Sequence, residues 1–81
     1  MNYLQEIESI IGKLNTNGFS AEAELTQQMF RSLTNSSELL MSVTHHLLNL
    51  IRLDAAINAL IGGEVLKLKK YCQAIGLNVS G

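Results

Sequence analysis

Residues 37–61 read SELLMSVTHHLLNLIRLDAAINALI, and how this stretch is read decides the fold. It contains neither glycine nor proline, and its leucines and isoleucines recur at helical spacing. Proline is absent from the whole chain, so the strongest helix breaker is missing and the next break signal is Gly62-Gly63. The stretch is therefore predicted to be one long helix, roughly 36 Å at 1.5 Å per residue. Its start is marked by the cap-forming run Thr34-Asn35-Ser36-Ser37, in which Asn35 and Glu38 have the spacing of a capping box.

Residues placed every 100° around this helix put Ser42, His45, Asn49 and Arg52 on one narrow polar stripe. Leu39, Leu40, Val43, Leu47, Leu50, Leu53 and Leu60 belong to an apolar arc covering more than half the circumference. A helix on the surface of a domain needs an arc nearer 100° wide, so this one has more apolar surface than one neighbour can cover. It is either the central helix, contacted by three others, or it meets a second copy or another protein. Asp54 and Asn58 interrupt the arc. An unpaired buried carboxylate is expensive, so Asp54 has to be paired, placed at an exposed gap, or used as a cap where the helix breaks.

Working outward, Leu4, Ile7, Ile10, Ile11 and Leu14 predict a first helix over residues 3–15, closed by Asn17-Gly18 with Phe19 folding back on its last turn. Ser20 is the expected cap of a second helix over 21–34, with Glu22 and Glu24 in its first turn and Leu25, Met29, Phe30 and Leu33 as its buried stripe. A last helix over 64–75 buries Val65, Leu68, Tyr71, Cys72 and Ile75, and Gly76-Leu77 repeats the glycine-plus-hydrophobe ending. The fold class is all-α: a small four-helix bundle with one long apolar third helix, forming a single domain over residues 1–81.

Composition narrows the classes of function. A chain of 81 residues buries only about 60% of its unfolded surface, so its core is marginal and a partner subunit would add to it. Cys72 is the only cysteine, which rules out a disulfide within the chain and suits a reducing compartment. Charged residues make up 16% and the net charge is -1, so no bulk field draws the chain to nucleic acid or to an anionic membrane. The apolar run from Leu39 to Ile51 falls short of the ~20 residues needed to span a bilayer. Residues 1–6 lack the basic and apolar regions of a signal peptide, and a cytoplasmic location is expected.

No catalytic signature emerges. His45 and His46 are adjacent and point about 100° apart, whereas metal pairs on a helix stand three or four residues apart. Ser42, the histidines and Asp54 include the residue types of a triad but have no nucleophile elbow or oxyanion site. Gly62-Gly63-Glu64 lacks the Gly-Lys-Ser/Thr ending of a phosphate loop and offers an acid where an anion would bind. Neither an enzyme activity, a metal nor a cofactor is expected.

The expectation is a non-catalytic protein-contact module that acts by masking or bridging, as immunity proteins of this size do, an analogy of size and class alone. Its partner is another protein or a second copy in at least a dimer, and the partner-binding candidates are His45, Asn49, Arg52 and Asp54. Two alternatives use other residues: a nucleic-acid-associated regulator through the basic group Lys67, Lys69 and Lys70, and a metal-binding oligomer through His45. Nucleic acid is the less favoured partner, because a recognition helix drawn from the third helix carries little positive charge.

Overall fold

A computed structural model describes residues 2–32 and 35–77 and contains four helices: α1 (Tyr3–Thr16), α2 (Ser20–Ser32), α3 (Ser36–Leu53) and α4 (Ala55–Ala74). Among the described residues there is no strand. The helix α1 packs against α2 and α4, and the principal neighbours of α3 are likewise α2 and α4. Chain neighbours are thus spatial neighbours, and α1 against α4 closes the ring. The ion pair Lys13–Glu64 and the stacked rings of Tyr3 and Tyr71 show that α1 and α4 run antiparallel.

Local chemistry explains most of the boundaries. Asn2 caps α1 by accepting the Gln5 N–H at 3.3 Å, and Asn35 caps α3 by accepting the Glu38 N–H at 3.1 Å. Both α1 and α4 end on a glycine with positive φ, 89° at Gly18 and 86° at Gly76. In each case the next residue donates its N–H five residues back, Phe19 to Leu14 at 2.9 Å and Leu77 to Cys72 at 2.8 Å. This glycine-terminated turn folds a hydrophobe onto the helix end.

The long third helix is not present. It stops at Leu53, Asp54 adopts an extended conformation (φ -134°, ψ 112°), and α4 begins at Ala55. Residues 55–61, assigned from sequence to the third helix, belong to α4. Gly62 and Gly63, read as the break, lie inside α4. The Asp54 carboxylate makes a break possible at this point: its Oδ1 accepts the Ala56 N–H at 2.9 Å and the Ile57 N–H at 3.2 Å. It satisfies two of the donors that any new helix leaves unpaired.

The core is one cluster fed by all four helices. Ile7, Ile10 and Leu14 enter from α1, Leu40, Val43 and Leu47 from α3, and Ile57, Ile61, Val65 and Leu68 from α4. The helix α2 contributes differently from the stripe predicted for it. Its buried residues are the small Ala23 and Thr26, Met29 and Phe30 are half-buried, and Leu25 is exposed. Leu33 and Thr34 lie outside the described residues. Reading the stripe through the largest apolar side chains rotated it away from the face where Ala23 and Thr26 let α2 approach its neighbours closely. Other boundaries differ by a residue: α1 runs on to Thr16, α2 starts at Ser20 itself, with the Phe19 carbonyl accepting the Ala23 N–H at 2.9 Å, α3 starts at Ser36, and Ile75 lies past the end of α4, exposed.

Candidate contact surface

His45, Asn49 and Arg52 come together as the helical spacing requires. Arg52 Nη2 donates to Asn49 Oδ1 at 2.8 Å, and Asn49 Nδ2 lies 3.3 Å from His45 Nε2. An amide nitrogen can only donate, so His45 Nε2 is the acceptor of this contact. The result is a ladder of three side chains on α3 in which His45 and Arg52 are exposed. The guanidinium is held by its neighbour and still presents free donors outward. Asp54, the fourth candidate, does not join this ladder; its Oδ1 serves the N-terminus of α4.

Beside Arg52 stands Leu53, 82% exposed, the most exposed large hydrophobic side chain among the described residues. Its position follows from the break at Asp54. At the last position of a helix whose axis then changes direction, its side chain leaves the side covered by neighbours. The apolar character continues into α4. Ala56, Ala59, Gly63 and Leu66, spaced three or four residues apart, form an exposed row without charge. Sequence reading placed Leu53 in the apolar arc and missed its exposure. The signal that marks it is a leucine directly before an aspartate able to cap a new helix.

His46 has a different environment from His45. It is half-buried, and its Nε2 lies 3.1 Å from Thr26 Oγ1 on α2. That hydroxyl donates its proton to the Glu22 carbonyl at 2.8 Å, so Nε2 carries the ring proton and donates to Thr26. Burial, reinforced by the neighbouring His45, lowers the His46 pKa below its ordinary value of 6.5 and holds it neutral. Cys72 is also structural: its thiol is buried and faces Thr44 Oγ1 at 3.7 Å.

The three lysines do not form one patch. Lys67 and Lys70 are exposed and, with Glu6, Tyr71 and Ala74, line an open groove of about 490 Å³, whereas Lys69 is half-buried elsewhere on the helix. Glu6 places a negative charge among the two lysines. A second groove, of about 290 Å³ between α1 and α2, is lined by Asn15, Ser20, Glu24 and Gln27 over Ile11 and Ala23. Among the described residues no three His, Cys, Asp or Glu side chains stand close enough to hold a metal ion, and no helix is long and apolar enough to cross a membrane. No family model matches the chain, and neither a curated protein nor a solved structure matches it significantly.

Proposed function

We propose that this chain is a non-catalytic protein-contact module whose binding surface is the ladder His45–Asn49–Arg52 together with Leu53 and the apolar row of α4. The observation that carries this reading is Leu53, 82% exposed beside a side-chain-anchored arginine. Scattered exposed leucines are ordinary, but this one stands next to Arg52 at the end of α3, and α4 carries a second uncharged exposed row in Ala56, Ala59, Gly63 and Leu66. Arginine is among the residues on which interfaces concentrate their binding energy, and the exposed leucine beside it adds apolar surface for a partner to cover. The small residues of α4 allow a partner helix to come close.

The partner is a protein, and masking or bridging it is the proposed role of the module. The buried thiol of Cys72 suits a reducing compartment such as the cytoplasm. The reading that uses Lys67, Lys69 and Lys70 on nucleic acid draws less support, because Lys69 faces another way and Glu6 shares the groove.

Affinity capture with the wild-type chain, with Leu53→Glu and with Arg52→Glu tests the assignment. A true partner is retained by the wild type and weakened by about 30-fold in either variant, the effect of losing a hot-spot residue worth ~2 kcal/mol. Identical protein sets from all three folded chains would sink it.

A further inference from the structure

The chain interrupts a helix that its own residues favour. From Leu47 to Ile61 there is no glycine or proline, and Ala55 and Ala56, next to the break, are the strongest of helix formers. Only one extended residue, Asp54, separates α3 from α4. In an uninterrupted helix the N–H groups of Ala55, Ala56 and Ile57 would bond to the carbonyls of Ile51, Arg52 and Leu53. At the break, Asp54 Oδ1 takes the N–H groups of Ala56 and Ile57 instead. Straightening the hinge therefore exchanges two capping hydrogen bonds for three helical ones. Locally the two forms are nearly balanced, so the bend is held by the packing of Ile57, Ile61, Val65, Leu68 and Cys72 into the core.

That packing does not depend on chain connectivity. We propose that Asp54 is a hinge about which α4 is exchanged between two copies of this chain, giving a dimer in which residues 36–74 form one continuous helix. At 1.5 Å per residue this helix is about 58 Å long. Each α4 completes the bundle of the other copy, and the contacts Lys13–Glu64, Thr44–Cys72 and Tyr3–Tyr71 re-form between chains. Exchange of an identical element reproduces every core contact, and a very short hinge invites it. The inference stands apart from the proposed contact surface, since it rests on the hinge and the core alone.

Thr44→Cys supplies the test, because Cys72 Sγ is 3.7 Å from Thr44 Oγ1. Oxidised with diamide, the pair links within one chain in the closed form and between chains in the exchanged form. Refolded from urea, Thr44→Cys should give a monomer band on a non-reducing denaturing gel at micromolar concentration and a growing covalent dimer at millimolar concentration. Adding Asp54→Ala removes the cap and shifts the product to dimer. Adding Ala55→Pro abolishes the dimer: proline suits the first position of α4 after the already extended Asp54, but removes an N–H and clashes in a continuous helix. Links confined to single chains at millimolar concentration, or as much dimer with Ala55→Pro as without it, overturn the proposal. Should a cysteine at 44 or the loss of the cap prevent folding, the mass of wild type and Ala55→Pro by light scattering after concentrated refolding decides it, a monomeric wild type counting against exchange.

Discussion

Asp54 Oδ1 accepts the backbone N–H of Ile57 across 3.2 Å, and this bond, with its companion to Ala56, caps α4 at the residue where core packing divides one helical run into two helices. Replacing Asp54 by alanine removes both acceptors and should lower the stability of the dilute monomer by about 1 kcal/mol. Asp54→Asn keeps an acceptor oxygen and should lose clearly less, giving up only the charge at the helix N-terminus. Urea midpoints at micromolar protein, compared at equal slope, measure both.

Gly63 lies inside α4, is exposed, and has nothing within 4 Å of where a Cβ would stand. Gly63→Ala should stabilise the fold by roughly 0.8–1 kcal/mol, the difference in helix propensity. A glycine that broke a helix with positive φ would respond with the opposite sign. Gly62→Ala should gain less, because its Cβ would stand 2.5 Å from Asn58 Oδ1 and force that side chain to rotate. Thermal unfolding of the two variants against wild type separates these cases.

His46 is neutral in the fold, its pKa lowered from 6.5 by burial and then by His45. Below pH 6.5 the unfolded chain takes up a proton that the folded one still refuses, so stability falls with pH, by up to ~1.4 kcal/mol per pH unit, until the folded pKa is passed. His46→Gln should flatten this part of the profile. Glu64 acts in a lower window: its hydrogen bond from Lys13 lowers its pKa below 4.5, so its contribution is complete above 4.5 and disappears as pH falls through the folded value. Urea midpoints from pH 7 to pH 3 for wild type, His46→Gln and Glu64→Gln should show the two losses in that order.

Leu47 and Leu53 come from the same apolar arc and should behave oppositely. Leu47 is fully buried, so Leu47→Ala should cost about 2–5 kcal/mol through lost burial and a residual cavity. Leu53 is 82% exposed, and Leu53→Ala should change stability by less than about 0.5 kcal/mol. Equal losses in chemical denaturation would show that Leu53 is covered in solution.

Thr26 is the only acceptor from α2 for the His46 ring among the described contacts. Thr26→Val keeps the shape and removes the hydroxyl, leaving the His46 N–H without its partner at a cost of ~1–3 kcal/mol. Thr26→Ser retains the hydroxyl and should recover most of that loss in the same denaturation assay.

Residue periodicity and cap residues were enough to read the all-α class, the number of helices, the caps at Asn35, Gly18 and Gly76, and the burial of Ile7, Leu14, Val65 and Cys72. These features depend on residues within a turn or two of one another, where backbone hydrogen bonding and side-chain spacing act directly. The polar ladder was legible for the same reason, since His45, Asn49 and Arg52 are neighbours on a single helix.

Tertiary structure decided the rest. Whether the run through Asp54 continues or turns depends on two capping bonds weighed against three helical ones, a local near-tie settled by α4 packing onto α1 and α3. The same packing chose small Ala23 and Thr26 for the buried face of α2 and left Leu25 outside. It also set two leucines of one apolar arc on opposite sides of the surface, because a change of helix axis at Asp54 carries Leu53 out of the core that encloses Leu47.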